Sequence, residues 1–193
     1  MSSFDLGAHL LEEIEGRFRD YKRLAEGALD QTDDHDFFRT LDRETNSVAV
    51  IVQHMAGNLR SRFTDFLTTD GEKPDRHRDA EFEVGAGMDR ATLMTRWEAA
   101  WGILFANLAA LTAQDLGSTV TIRAQPHTVT QALERSLAHM AYHVGQIVML
   151  AKHYGAEKWR TLSVPRGGTE EFNRKMKEKA LAEAAAPPAR EGS

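Results

Sequence analysis

Apolar residues recur every three or four positions along four long stretches of the chain, separated by segments that are polar or aperiodic. From Asp5 to about Asp30 they fall at Leu6, Leu10, Ile14, Phe18, Tyr21, Leu24 and Ala28, the spacing of one face of a helix. Asn46 or Ser47 offers an N-cap to a second helix, whose stripe is Val48, Val52, Met55, Leu59, Phe63 and Phe66 and whose end is the Asp70-Gly71 turn. Asp89 caps a third, with Leu93, Trp97, Trp101, Leu104, Leu108 and Leu111. Thr128 or Thr130 caps a fourth, with Leu133, Leu137, Met140, Val144, Ile147 and Ala151. It closes near Tyr154-Gly155, where glycine suits the position after the last turn. Four amphipathic helices of this length predict an all-α fold, a four-helix bundle.

The connections carry information of their own. Asp70 to Gly87 is charged, contains Pro74 and shows no periodicity; so long a loop in a compact domain calls for a reason. A second helix of about 24 residues is roughly 36 Å long, and a loop of about 18 residues stretches to roughly 60 Å. The third helix therefore has room to run parallel to the second. Ser118-Thr119-Val120-Thr121-Ile122-Arg123 alternates β-branched with small polar residues, which predicts a short strand before Pro126, too short to make a sheet alone. Trp159 to Gly168 reads as loop, Glu170 to Glu183 as a short helix, and Ala184-Ala185-Ala186-Pro187-Pro188 onward as a disordered end. The expected organisation is a bundle over 1–155, a C-terminal extension packing on it over 156–183, and a tail over 184–193.

Composition narrows the function classes. A chain of 193 residues supports one well-buried core and leaves little for a second domain. A formal charge of −5 and a pI near 5.9 argue against a nucleic-acid surface, which needs a concentrated basic face. Without cysteine there is neither a disulfide framework nor a thiolate metal site, so any ion must be held by His, Asp or Glu. No apolar run approaches the roughly 18 to 20 residues that span a bilayer, and Met1-Ser2-Ser3-Phe4-Asp5 lacks the look of a secretion signal. A cytoplasmic protein without membrane or nucleic-acid partners is expected.

The chemistry lies in three histidines. His139 and His143 sit one turn apart on the fourth helix, in a stripe with Ser136 and Gln146, because residues four apart share a face. His54, with Asn58 one turn on, flanks the stripe of the second helix. If those helices are neighbours, three imidazoles converge, and imidazole is the usual ligand for zinc, nickel or iron where thiolates are absent. The plainer alternative is a set of partly buried imidazoles bonded to backbone or carboxylate. His9, His35, His77, His127 and His153 read as surface or capping groups. Asn58, Gln146 and Arg62 are candidates for binding substrate or steadying a ligand; Arg60, Arg62, Lys73, Arg76 and Arg78 are candidates for gripping carboxylates. Trp97 and Trp101 read as core or dimer-interface anchors. No catalytic residue is assigned.

The stretches Asn46-Ser47, Gln53-His54-Met55-Ala56-Gly57-Asn58, Ser61 to Pro74, His139-Met140-Ala141-Tyr142-His143-Val144-Gly145-Gln146 and Pro165-Arg166-Gly167-Gly168 resemble the DinB-like (DinB/YfiT) superfamily of small helical metalloenzymes, in an uncharacterised branch. The likeness runs from about Phe4 to Phe172. It implies an up-down-down-up bundle, a homodimer, and zinc or nickel on His54, His139 and His143 with one open position. By the same likeness the activity is thiol S-transfer or a related metal-assisted transfer to a small-molecule substrate, using a low-molecular-weight thiol, since the chain has none of its own. A metal-dependent hydrolase is the alternative enzyme, and a non-enzymatic helical dimer with a structural metal or partner-binding role is the alternative class.

Overall fold

A side-chain cap starts each of the four helices that carry the apolar stripes. In the computed structural model, which describes residues 4–185, α1 (Leu6–Leu29) begins where Asp5 accepts the amides of Gly7 and Ala8 at 2.9 and 3.1 Å. A five-residue helix, α2 (Asp34–Phe38), follows under an Asp33 cap and buries Phe37; it is too short to register as periodicity. α3 (Val48–Phe63) starts at Ser47, whose Oγ accepts the Val50 amide at 3.2 Å. Asp89 opens α4 (Arg90–Ala110) by accepting the Thr92 amide at 2.7 Å. Strands β1 (Thr119–Ile122) and β2 (Gln125–Thr128) pair antiparallel. They lead into α5 (Val129–Gly155), whose first turn is closed by reciprocal bonds between Thr128 and Gln131. Ser47 and Thr128 are thus the working caps, while the Thr130 hydroxyl donates to the Leu116 carbonyl at 3.0 Å.

The structure departs from the sequence expectation in four places. α3 stops at Phe63, not at Asp70, because Thr64 is extended and Asp65 takes a left-handed φ of 48°. Phe66 nevertheless stays in the core: the turn after Asp65 brings its ring to 5.0 Å from that of Phe63, which imitates helical spacing. β1 is half of a hairpin, with Pro126 opposite Thr121 in β2, where a two-stranded ribbon tolerates a missing donor. Its tight turn uses positive φ at Arg123 (54°) and Ala124 (58°), residues that carry no glycine or asparagine signal. At the end of α5, Gly155 remains right-handed at φ −67° and Ala156 takes the left-handed position at φ 43°. Finally, α6 (Thr169–Ala185) takes in Ala184 and Ala185, which were expected in the tail; 186–193 and Met1 to Ser3 lie outside the described residues.

Two compact units result, divided between Trp159 and Arg160. The second contains α6. In the first, α3 packs against α4 and α5, and α1 against α5 and α4. Trp97, Trp101 and Phe18 are fully buried, so the tryptophans are core residues. Phe18 meets Trp101 and Phe63 edge-on, with centroids 6.3 and 6.5 Å apart. Polar bonds fix which ends meet. Arg90 donates to the Leu29 and Thr32 carbonyls at 2.7 and 2.6 Å, tying the start of α4 to the end of α1. Asn107 donates to the Phe63 carbonyl at 2.8 Å, tying the end of α4 to the end of α3. The Gly71 amide donates to the Thr121 carbonyl at 2.8 Å and docks the segment after α3 on the hairpin before α5. No described helix is long and apolar enough to cross a membrane.

That docking is secured by Asp70, whose carboxylate accepts the amides of Glu72, Arg123 and Ala124 at 2.7, 2.9 and 2.8 Å. The Ala124 and Glu72 bonds hold its carboxyl below the usual range. Asp70→Ala strands three donors and should cost about 1–2 kcal/mol, a fall in Tm of roughly 2–8 °C by circular dichroism, with Asp70→Asn recovering part of it. Since the folded pKa is the lower one, the benefit is present above about pH 4 and fades as pH falls. An Asp70→Ala protein as stable as wild type at pH 7 would contradict this role.

Candidate metal centre

α3 and α5 each turn one polar edge toward the other. His54 lies on the buried edge of α3, 4% exposed, and Asn58 follows one turn on. His139 and His143 occupy successive turns of α5, His143 buried and His139 half-buried. Because α3 packs on α5, the three rings meet. Nε2 of His139 lies 3.2 Å from Nε2 of His54 and 3.1 Å from Nε2 of His143. One ligand atom from each of the three residues falls within 4.8 Å of the others.

The outer nitrogens determine what the inner ones present. Nδ1 of His54 donates to Glu81 Oε2 at 2.8 Å, and Nδ1 of His143 donates to Gln146 Oε1 at 2.8 Å. A carboxylate and an amide oxygen only accept, so both Nδ1 atoms carry a proton, and such a ring in its neutral form turns an Nε2 lone pair inward. Nδ1 of His139 is buried and has no partner among the described residues. If His139 carries its proton on Nε2, it satisfies one neighbour and leaves the other lone pair and its own Nδ1 unmet. If it carries the proton on Nδ1, three lone pairs face one another and that N–H has no acceptor. Either tautomer leaves at least two buried nitrogens unsatisfied, whereas a cation at the common point satisfies all the inward ones. Three nitrogens on one tetrahedral zinc ion would be about 3.3 Å apart, close to the spacing here. The residues fit a divalent metal.

Burial pushes His139 down to about 3, with His143 and His54 adding to the effect, followed by Arg76 and Arg62. Burial also lowers His143, against the opposing bond to Gln146. Both rings are therefore neutral at physiological pH, the form that ligates metal. For Glu81, burial acts to raise the pKa, but the bonds from His54 and Arg76 outweigh it and the carboxyl stays below its usual range.

Glu81 is the residue that sequence reasoning missed. It sits in a short 3-10 turn, Asp79–Phe82, inside the long loop between α3 and α4. Arg76 grips it through two bonds, 2.8 and 2.9 Å. Gln53 pins the turn to α3 by donating to the carbonyls of Ala80, Glu81 and Glu83 at 3.0–3.2 Å. Phe82 lies against the His54 ring, centroids 4.8 Å apart. One signal was available: Gly57 in mid-helix, a costly residue there without a packing reason. A Cβ at Gly57 would come within 2.7 Å of Glu81 Cδ.

Of the other candidates, Gln146 orients His143, while Asn58, Arg62, Arg76 and Arg78 line a cavity of about 320 Å³ that opens on His54 and His139. Arg60 pairs with Asp75, and Lys73 donates to Thr69 and Asp70; neither lines that cavity. His9, His77, His127 and His153 stay away from the cluster. His35 joins only an exposed group with Asp33 and Asp36 at the start of α2.

Since the folded pKa values of His139 and His143 are the lower ones, the unfolded chain takes up protons first. The metal-free protein should be fully stable above about pH 6.5 and lose stability as pH falls from there toward about 3. His139→Gln should flatten this decline in denaturant titrations between pH 8 and 4. Equal slopes for the two proteins would contradict it.

The profile of a family described as "Protein of unknown function (DUF1572)" matches residues 5–168. Nothing among the curated proteins or the solved structures matches the chain. The matched span begins at the cap of α1 and ends at Gly168, just before α6, so it carries α3, α5 and the loop that brings Glu81 to them. A match over that much of its length makes the chain a member of the DUF1572 family.

Proposed function

We propose that this chain is a divalent-metal-dependent enzyme of the DinB-like type that transfers a low-molecular-weight thiol to a small-molecule electrophile, with zinc or nickel on His54, His139 and His143. The observation that carries the reading is the cluster of inward Nε2 atoms facing one another at 3.1 and 3.2 Å beside an open cavity. The same proposal takes the fold as an up-down-down-up bundle, in a cytoplasmic homodimer. Supporting that topology, α4 starts at the end of α1, α4 and α3 end together, and the chain leaving α3 meets the hairpin entering α5.

A bound divalent ion would supply Lewis acidity to a thiol or a carbonyl. The chain's own residues hold that centre in one protonation state. Glu81 keeps a proton on Nδ1 of His54, Arg76 keeps Glu81 ionised and in place, and Gln146 does for His143 what Glu81 does for His54. Among the described residues no carboxylate lines the cavity, and its only imidazoles belong to the cluster. No side chain there is placed to take a proton from a weakly acidic nucleophile. Either nucleophile, thiol or water, would therefore owe its ionisation to the bound ion, which brings the pKa of zinc-bound water to about 7; transfer is preferred over hydrolysis on the resemblance to the DinB-like superfamily.

Zinc or nickel titrated into metal-free protein should bind at one ion per chain. His143→Ala should weaken binding by at least about a hundredfold, since two nitrogens hold such an ion poorly; Glu81→Gln should weaken it by about 10–100-fold. Unchanged affinity in His143→Ala would show that the ligands are misassigned. In a screen of small thiols against electrophiles, the loaded wild type should turn over and His143→Ala should not. Turnover of ester or amide substrates with no thiol present would favour the hydrolase instead, and a bound metal with no activity in either screen would favour a structural ion.

A further inference from the structure

The cavity in front of His54 and His139 is basic beyond what its surroundings neutralise. Arg62, Arg76, Arg78, Arg123 and Arg135 line it, and among the described residues no acidic side chain does. Two carboxylates bond to this set. Glu72 reaches Arg62 and Arg123 at 3.0 Å and Arg76 at 3.4 Å, and Glu81 takes Arg76 bidentately. Asp70 is committed to backbone amides, and Asp79, fully exposed, comes no nearer to Arg78 than 3.7 Å. Arg135 has neither a hydrogen bond nor an ion pair among the described residues, and it sits one turn before His139 on the same face of α5.

A second observation is independent of charge. Ser136 lines the same cavity, is 5% exposed, and its Oγ has no hydrogen-bond partner among the described residues. A buried hydroxyl without a partner is a standing penalty to the fold. It makes sense where a ligand is to complete the bond. Asn58, four residues after His54, adds an amide to the same wall.

We infer that this cavity is a subsite for the oxyanion end, carboxylate or phosphate, of a small-molecule substrate whose other end reaches the imidazole cluster. Arg135 and Arg78 supply the charge that guanidinium forks deliver to such groups. Ser136 and Asn58 supply hydrogen bonds, and the Glu72-held Arg62, Arg76 and Arg123 form the fixed wall. The cavity, about 320 Å³, is at the small end of ligand pockets. The inference names the substrate class of the enzyme proposed above and rests on that reading for what happens at the far end of the substrate. Anion capture itself does not need the metal, which allows the two to be tested apart.

Full-length metal-free protein is titrated calorimetrically with inorganic phosphate and with succinate, and zinc-loaded protein with succinate. At least one probe should bind at one per chain, with affinity that falls as salt rises. Arg135→Gln should weaken it by about tenfold and Ser136→Ala several-fold, while Arg17→Gln, on the exposed face of α1 beside Glu13, should leave it unchanged. Ser136→Ala should keep or raise Tm, because it removes an unmet hydroxyl; a structural hydroxyl would lower it. A preference for succinate identifies a carboxylate substrate and a preference for phosphate a phosphorylated one. Binding of neither probe, or wild-type affinity in both Arg135→Gln and Ser136→Ala, overturns the subsite. Anion binding in a protein that takes no zinc would defeat the metal reading and leave the subsite standing.

Discussion

Imidazole nitrogens facing one another across little more than 3 Å impose a demand that the rest of the fold answers. Protonating all three would place like charges together in a buried site, and leaving them neutral sets lone pair against lone pair. The burial that lowers His139 and His143 selects the neutral state. Glu81 and Gln146 then settle which nitrogen of His54 and of His143 faces inward. The centre is therefore prepared for a positive charge at one point, since the single proton that a neutral His139 can place there satisfies only one of its two neighbours.

This need accounts for the long loop between α3 and α4, which a simple connection would not require. Its first residues are clamped to the β-hairpin by Asp70 and Gly71, and its middle is clamped to α3 by Gln53. Glu81 is delivered between those anchors, into space kept free by Gly57. Arg76, from the same loop, neutralises the carboxylate and holds both its oxygens. The loop so becomes one wall of the cavity as well as the support of His54. Removing Glu81 would thus disturb both a ligand and a wall, whereas Arg135 and Ser136 line the cavity from α5 and form no hydrogen bond to the loop among the described residues.

What was legible in the sequence was what local geometry fixes. Ser47, Asp89 and Thr128 announce helix starts by the chemistry of their side chains, and the four-residue spacing of His139 and His143 places both on one face wherever α5 lies. His54 could be joined to them because its helix showed a polar edge of the same kind. The failures share a cause in tertiary structure. Phe66 keeps helical spacing through a turn, so α3 reads too long. β2 has Pro126 and no alternation, and its turn uses Arg123 and Ala124 at positive φ, so only the first strand of the hairpin was legible. Glu81 is one acidic residue in a charged loop; bonds from Gln53 and His54 on α3 and from Arg76 in its own loop single it out, and Gly57 is the one trace of it in the sequence.

X-ray absorption at the zinc edge of the loaded protein tests the convergence of the three rings most directly. Three imidazole shells with nitrogens at about 2.0–2.1 Å, completed by one or two lighter donors, are expected, with one imidazole shell lost in His143→Ala. A shell with two or fewer imidazoles in the wild type, or one unchanged by His143→Ala, would contradict the shared centre.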